Sequence, residues 1–294
     1  MKTLRFRRLG TSVAVHVLVL LLLIWTLGPI AWMVISSMTP GIELMTLTGP
    51  IIPATLSFDR YAAILVGGEV MLHGRMVRGP GEFFMIALRN SFVVTASVTI
   101  LSLAIGGLAA YAFARLRFFG NRGLLFLALF FQLMPPIAML VPYYFMVRSL
   151  GMVNRLSTLV IIYISFVLVY VIWVMTSYFK TIPMELEEAA LIDGCTRVGA
   201  LVRILLPTAA PGFVAVGALS FLMSWDEFLY ALIFMTTNQT KTLPVVISEF
   251  TTQFGVDYGM MMTGGVITTI PPLILALFFQ KYIVSGLASG AVKG

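Results

Sequence analysis

Long uninterrupted apolar runs are the feature that most constrains how this chain of 294 residues folds. Hydrophobic residues make up 60% of the sequence and charged residues only 11%, and the mean hydropathy is +1.01. A soluble domain of this length needs a polar surface, and this composition supplies too little polar material for one. Several runs approach the roughly 20 residues that a helix needs to cross the hydrocarbon core of a bilayer. The sequence therefore predicts an all-α, multi-pass integral membrane protein.

Six apolar runs are predicted to span the membrane, each bounded by charged or turn-forming residues. The first follows the basic stretch "MKTLRFRR", but it is too long for a signal-peptide core and no small-residue cleavage site follows, so we expect a retained anchor. Proline pairs at 135–136 and 271–272 are expected to interrupt the third and sixth runs, because proline frees backbone carbonyls and kinks helices. The runs lie at residues 13–35, 91–114, 124–147, 157–179, 209–235 and 263–284.

The basic residues indicate how the chain is oriented. Lys and Arg are scattered over the loops rather than gathered in a stripe with interleaved aromatics, which argues against a nucleic-acid partner. If the N-terminus is inside, the inner segments hold 12 of these residues and the outer segments hold 7. Positive charge favours the cytoplasmic side, so both termini are predicted to be cytoplasmic.

This orientation divides the chain into three parts. Residues 1–84 form an N-terminal cytoplasmic tail, the first transmembrane helix and the first outer loop. Residues 85–284 form a transmembrane domain of five helices, with a cytoplasmic loop at 181–207. Residues 285–294 form a cytoplasmic C-terminal tail.

The cytoplasmic loop at 181–207 concentrates charge in a chain that has little of it, as the stretch "ELEEAALIDGCTRVGALVRILLP" shows. Its glutamates suit the positive end of a helix dipole, and Gly194 suits a left-handed cap, so a short helix is predicted over residues 184–193. An amphipathic segment over 196–206 follows, and Pro207 is expected to restart the chain as the fifth span. Such a loop is either a docking surface for another protein or a solvated connection, and the residues alone leave both open.

The same stretch resembles the EAA motif of the permease subunits of ATP-driven (ABC) importers. The family pattern is Glu-Ala-Ala, three residues, Gly, nine residues, Ile, any residue and Leu-Pro. "LRNSFVVT", "SWDEFLYALIF" and "FFQKYIVSGLASGAVKG" are similar to the sugar-importing branch, in particular to the shorter permease subunit of maltose-type transporters. The pattern is met here by Glu188, Ala189, Ala190, Gly194, Ile204, Leu206 and Pro207.

The resemblance implies a type I ABC importer permease fold in the bacterial inner membrane. It also implies a non-enzymatic subunit of an ATP-driven sugar importer, which forms half of the translocation pathway. The partners would be a cytoplasmic ABC ATPase dimer that hydrolyses ATP with Mg, a second homologous permease subunit, an extracytoplasmic sugar-binding protein and membrane lipid. The chain itself has no G-x-x-x-x-G-K-[ST] phosphate loop, and we expect it to bind no cofactor.

The resemblance also assigns the contact with the ATPase. The helix around Glu188 would be the coupling helix, which docks in a groove of the ATPase. The residues expected at this contact are Glu185, Glu187, Glu188, Ala189, Ala190, Asp193, Gly194, Arg197, Leu206 and Pro207.

Three residues near the outer end of the fifth run, Trp225, Asp226 and Glu227, form a second candidate site. Carboxylates within a membrane span are costly and usually face a cavity or a partner. These residues therefore either line the translocation path or its outer gate, or lie where the helix is broken and water reaches them. No catalytic motif such as H-E-x-x-H is present, and the isolated His16 and His73 make no metal site.

Other functions remain open at the level of sequence. Within the importer class the cargo could be glycerol-3-phosphate or a polyol. A stand-alone ion-coupled carrier is a further alternative, and only Asp226 and Glu227 would be available to hold its coupling ion. The mostly polar outer loop at 236–259 is either a contact for the sugar-binding protein, as the resemblance implies, or a solvated connector.

Overall fold

The computed structural model describes residues 2–44, 52–53, 55–67, 69–72, 75–78, 80–252 and 255–291. The described part is mainly helical, as predicted, and His73 lies outside it. The helices are α1 (Lys2–Met38), α2 (Gly41–Leu44), α3 (Asp59–Leu65), α4 (Gly81–Arg115), α5 (Asn121–Gln132), α6 (Pro136–Ser149), α7 (Leu156–Thr181), α8 (Glu185–Ile192), α9 (Arg197–Ala200), α10 (Leu206–Trp225), α11 (Leu229–Phe234), α12 (Leu243–Ser248) and α13 (Tyr258–Ala291), with a π-helical turn at Leu201–Leu205.

Two short antiparallel hairpins accompany the helices and were not predicted. The first pairs β1 (Glu69–Leu72) with β2 (Arg75–Arg78), and the second pairs β3 (Thr251–Thr252) with β4 (Gly255–Val256). Both lie in segments predicted to be outer loops, where strands this short leave little periodic signal in the sequence.

The number of predicted membrane spans is confirmed when a bent pair of helices is counted as one span. Within the described residues, five helical stretches are long and apolar enough to cross a membrane. The sixth is the pair α5 and α6, which meet at an angle of 94°. The five are Ala14–Met38, Gly81–Arg115, Leu156–Thr181, Arg197–Trp225 and Tyr258–Tyr282.

The two proline pairs behave differently. Pro135 and Pro136 coincide with a complete break, since α5 ends at Gln132 and α6 begins at Pro136. By contrast, α13 continues through Pro271 and Pro272, so the helix does not end there, and the expected kink stays a prediction. Membrane helices tolerate proline because neighbouring helices and local adjustments satisfy the freed backbone groups.

The fifth run is shifted relative to its prediction. The predicted restart at Pro207 is wrong, because α9, the π-helical turn and α10 form one continuous helical stretch. In the π turn the N–H of Leu206 bonds to the carbonyl of Leu201, and this wider turn lets the chain enter α10 without a break at the proline ring. At the other end, α10 stops at Trp225, so the predicted single run to residue 235 is two helices.

The chain forms two compact units. The first comprises Met1–Glu82 and Ile247–Thr269, and the second comprises Phe83–Val246 and Ile270–Gly294. The predicted divisions at residues 84 and 284 follow the order of the chain, whereas the first unit joins two stretches that are far apart in sequence.

A buried arginine organises the first unit. Arg60 donates from Nη1 to the carbonyl of Thr39 at 2.6 Å. Burial lowers the pKa of Arg60, while the nearby carboxylates of Asp257 and Asp59 oppose that shift. A Cβ atom at Gly259 would lie 2.2 Å from Cζ of Arg60, so a glycine is required for the guanidinium to fit.

The core of the second unit lies between α4, α7 and α10. Small residues allow close approach there: a Cβ at Gly106 would meet Cγ1 of Val171 at 2.7 Å, and a Cβ at Gly212 would meet the ring of Tyr178 at 2.9 Å. Helices in membranes pack through such small residues. Large buried side chains in this core include Tyr163, Phe179 and Leu205.

Candidate functional site

The predicted helix of the 181–207 loop is present as α8, Glu185–Ile192, with Met184 and Asp193 as its flanking residues. Glu185, Glu187 and Glu188 occupy its first turn, where carboxylates stabilise the positive end of a helix. The prediction of a short helix over 184–193 is therefore confirmed.

Gly194 ends this helix in the conformation that the sequence predicted. Its φ is +88°, in the left-handed region that favours glycine. The N–H of Gly194 bonds to the carbonyl of Leu191 at 3.1 Å, and the N–H of Cys195 bonds to the carbonyl of Ala190 at 3.0 Å. These two bonds form a Schellman motif, which stops the helix sharply and sets the direction of the following turn.

The two faces of α8 have different surroundings. One face points inward, because Glu187 is only 7% exposed and Ala190 only 3%. The side chains of the other face are exposed and contact little of this chain. Two of the ten residues expected at the ATPase contact therefore point into their own chain. The outward face, which we call the outer face of α8, consists of Glu185, Leu186, Glu188, Ala189, Ile192 and Asp193.

Glu187 is held by two residues at the end of α4. Tyr111 donates from its hydroxyl to Oε1 of Glu187 at 2.7 Å, and Nε of Arg115 lies 3.6 Å from Oε2. Arg115 also donates from Nη2 to the carbonyl of Ile182 at 2.7 Å, just before α8 begins. This connected set ties the junction of α7 and α8, and the first turn of α8, to the end of α4.

This role of Tyr111 and Arg115 was not predicted from the sequence, in which Arg115 contributed only to the positive charge that indicates orientation. Their spacing of four residues places them on one face of α4, and that was the available signal. Which carboxylate these two residues contact depends on how α7 and α8 pack against α4. The spacing of residues in the sequence does not reveal that packing.

The remaining predicted contact residues lie along the turn and the entry to α10. The Thr196 side chain accepts a hydrogen bond from the N–H of Gly199 and caps α9. Arg197 and Pro207 are exposed, and Leu206 is half-buried. The predicted apolar stripe over 196–206 is split, because Val198 and Val202 are exposed while Leu201 and Leu205 are buried.

Glu227 lies in the break between α10 and α11. Its carboxylate accepts the hydroxyl of Tyr163 and the backbone N–H groups of Tyr230, at 2.9 Å, and Ala231, at 3.2 Å. It thus caps the start of α11 and holds it against α7. Asp226, beside it, is exposed.

Trp225 ends α10 inside the core. It is 2% exposed, and its ring stacks on Phe221 with centroids 5.4 Å apart. The three residues of the second candidate site therefore have different surroundings. Trp225 is buried, Asp226 is exposed to the surroundings, and Glu227 is hydrogen-bonded within the chain. The helix is broken there, but the hydrogen bonds of Glu227 are internal, so the role of the three residues stays a prediction.

Two asparagines organise the loop after α11, at the end of the unit opposite α8. Asn154, with φ +60°, accepts the N–H of Thr236 at Oδ1 at 2.7 Å and donates from Nδ2 to the Thr236 hydroxyl at 2.9 Å. Asn90 donates from Nδ2 to the carbonyls of Gln239 and Lys241 at 2.9 and 3.0 Å. The polar start of this loop is therefore held in one conformation.

The chemistry available at α8 is recognition rather than reaction. Among the described residues, no three His, Cys, Asp or Glu side chains come together to hold a metal ion. The outer face of α8 is convex and acidic, carries no nucleophile and encloses no cavity. It is suited to fitting against a concave surface of another protein.

Comparison with known proteins agrees with this picture. Residues 102–289 match the family described as the inner membrane component of binding-protein-dependent transport systems. The chain is 35% identical over 272 residues to the trehalose transport system permease protein SugB of Mycobacterium tuberculosis, covering 92% of this chain and 93% of that protein. It is 34% identical over 276 residues to the trehalose/maltose transport system permease protein MalG of Thermococcus litoralis, covering 94% of each.

A solved structure shows the same fold. A bacterial ABC transporter involved in the import of the acidic polysaccharide alginate contains a chain that superposes with a TM-score of 0.75 at 20% identity. The superposition covers 92% of this chain and 96% of that one.

The fold and the loop define a multi-pass membrane permease with the architecture of a type I ABC importer subunit. The chain belongs to the family of binding-protein-dependent transport system inner membrane components. Members of this family are transport permeases, so the chain is a permease subunit of an ABC importer and not an enzyme.

Proposed function

We propose that this permease imports a sugar across the bacterial inner membrane. Both relatives described above carry names that refer to trehalose or to trehalose and maltose, and each aligns over more than nine-tenths of this chain. Neither name supports glycerol-3-phosphate or a polyol. Full-length similarity of this kind favours the same class of cargo.

The energy comes from a partner through α8, with the 181–207 loop and both termini in the cytoplasm. A cytoplasmic ABC ATPase dimer hydrolyses ATP with Mg and receives the outer face of α8. The observation that carries this proposal is the outer face itself, a short acidic helix that is capped at its end and presents Glu188 and Ala189 to the surroundings. A small side chain allows the ATPase backbone to approach closely, and the carboxylates complement basic residues.

The remaining partners complete the pathway. A second homologous permease subunit supplies the other half of the route. An extracytoplasmic sugar-binding protein delivers the sugar at the opposite end, where the loop at 236–259 is its expected contact. We assign Asp226 to the path or its outer gate, and its exposure at the helix break supports this assignment.

Replacement of Glu188 by lysine tests the docking assignment. The tagged permease is purified from its native membranes in mild detergent, and every co-purifying protein is identified by mass spectrometry. The wild type is expected to recover an ATPase and a second permease. Glu188→Lys is expected to lower ATPase recovery by roughly tenfold, because it places a like charge against basic residues.

The second permease serves as an internal control in the same sample, since its recovery should not change. Arg148→Glu is a matched control variant, because it reverses a charge at the opposite end of the same unit. Full ATPase recovery with Glu188→Lys would contradict the assignment. A wild type that purifies alone and still transports would contradict the importer proposal and favour an ion-coupled carrier.

A further inference from the structure

The buried connection between Glu187 and the end of α4 has a function that docking does not explain. Glu187 is itself one of the residues expected to touch the ATPase, yet its side chain is 9% exposed and that of Arg115 is 6% exposed. Burying a carboxylate and a guanidinium costs free energy, and an apolar pair would hold the helix at lower cost. In some proteins such a pair fixes one particular arrangement of two elements.

The geometry of the connection is that of a two-point link. Arg115 holds the carbonyl of Ile182, the residue that caps the end of α7, at 2.7 Å. In the first turn of α8, Tyr111 donates to one oxygen of Glu187, and Arg115 forms an ion pair of 3.6 Å with the other oxygen. The junction of α7 and α8 is held at these two points by one neighbour and moves with it, because sliding or rotation of α8 would break a charged contact.

The helix α4 extends from this link through the core of the unit to its opposite end. At that end, Asn90 of α4 donates to the carbonyls of Gln239 and Lys241 in the loop after α11. Between the two ends, Gly106 of α4 packs against Val171 of α7 with no room for another atom. One rigid element therefore connects α8 with the loop at the far end of the permease.

We infer that Tyr111, Glu187 and Arg115 form a mechanical link that transmits the movement of α8 to α4. Glu187 is then a positioning residue that acts within this chain, whereas its neighbour Glu188 acts on the ATPase. This inference rests on the proposed function, since it needs an ATPase that moves α8. The turn at Gly194 leads from α8 into the continuous stretch of α9, the π-helical turn and α10, which is a second route for the same movement, and the link adds α4 to it.

The inference is tested in the intact importer, purified from native membranes with its ATPase and second permease and reconstituted with its binding protein in proteoliposomes. Glu187→Gln keeps the size of the side chain and an acceptor for Tyr111 but removes the ion pair. Tyr111→Phe removes a single hydroxyl. Both variants are expected to keep full ATPase recovery and full ATP hydrolysis, and to lower the melting temperature to some degree, because each leaves a buried group without its partner.

Sugar imported per ATP hydrolysed is the decisive measurement. We expect it to fall roughly tenfold in each variant, the scale set by one charge-assisted hydrogen bond. The double variant should be no worse than the more severe single variant, because both changes break one link. A purely structural role would lower the melting temperature and leave this ratio unchanged.

Several results would overturn the inference. Loss of ATPase recovery with Glu187→Gln, as expected for Glu188→Lys, would make Glu187 a docking residue. An unchanged import ratio in Tyr111→Phe and Glu187→Gln would show that α4 receives no movement through them. If the proposed function itself is wrong, the wild type will reveal it. Its import will continue without ATP or without an ATPase, whatever the variants do.

Discussion

At the scale of single residues, α8 shows how one helical step changes what a side chain can do. Successive residues of an α-helix are rotated by about 100°, since 3.6 residues complete a turn. Glu187 and Glu188 are neighbours in sequence, but one is 7% exposed and bonded to Tyr111 while the other is exposed. The same residue type therefore serves an internal link at one position and an external contact at the next.

Gly194 gives a prediction at this scale. A Cβ at this position would meet nothing within 4 Å, so any effect of substitution comes from the backbone and not from a clash. Valine in the left-handed conformation costs about 1–2 kcal/mol, and we expect Gly194→Val to disturb the cap of α8 and reduce sugar import without preventing membrane insertion.

Asparagine tolerates the left-handed conformation, so Gly194→Asn is the matched control and should import sugar at close to the wild-type rate. Uptake of labelled sugar by membrane vesicles, with permease content measured by immunoblot, separates the two variants. Normal uptake by Gly194→Val would count against a role for the cap geometry.

At the scale of elements, the helices of the second unit are defined by where they break and how closely they approach. The chain breaks between α5 and α6 and between α10 and α11, and it passes without a break from α9 through the π-helical turn into α10. Contacts at Gly106 and Gly212 bring α4 against α7 and α7 against α10. The resulting three-helix core supports the link at one end and the asparagine-held loop at the other.

Gly106 gives a prediction at this scale. A Cβ there would lie 2.7 Å from Cγ1 of the buried Val171, so Gly106→Val forces α4 and α7 apart. Overpacking of this kind costs about 1–3 kcal/mol, and we expect a lower melting temperature in detergent.

The control for this variant is Gly28→Val. Gly28 lies in the membrane helix α1, where a Cβ would meet nothing within 4 Å, so the same change should leave the melting temperature unaltered. Equal melting temperatures for Gly106→Val and the wild type would show that this contact adapts without strain.

At the scale of the whole molecule, one permease presents different chemistry at the two ends of its second unit. The charged loop with α8 lies at one end, beside Arg115, and the polar loop held by Asn90 and Asn154 lies at the other. An importer needs this arrangement, because energy and cargo arrive from opposite sides of the membrane.

The single cysteine of the chain, Cys195, provides a prediction for the orientation of the molecule. It follows Gly194 directly and is partly exposed, so a thiol reagent that does not cross membranes should label it from the cytoplasmic side only. We expect labelling in inside-out vesicles and none in right-side-out vesicles. The cysteine-free variant Cys195→Ser gives the background signal.

A bound ATPase is expected to protect Cys195 in inside-out vesicles, and its removal should restore labelling. Labelling in right-side-out vesicles would reverse the predicted orientation and, with it, the assignment of α8 to a cytoplasmic partner.

The sequence by itself determined the features that depend on neighbouring residues. Apolar runs of sufficient length predict spans because the thickness of the bilayer sets the length of a helix. Among the described residues five such helices are present, or six when the bent pair α5 and α6 is counted as one span. Gly194 predicted the end of α8 because a left-handed cap is a property of a few consecutive residues. The EAA pattern predicted which residues are candidates for the contact with the ATPase, because all positions of the pattern lie within the single loop at 181–207.

Only the tertiary structure decided the features that depend on residues far apart in the chain. The pairing of Glu187 with Tyr111 joins residues separated by 76 positions, and no local pattern indicates which of three glutamates turns inward. The capping of α11 by Glu227, with Tyr163 as its partner, is of the same kind. Helix propensity and hydropathy act over one or two turns, whereas the burial of a charge depends on which helix packs beside it.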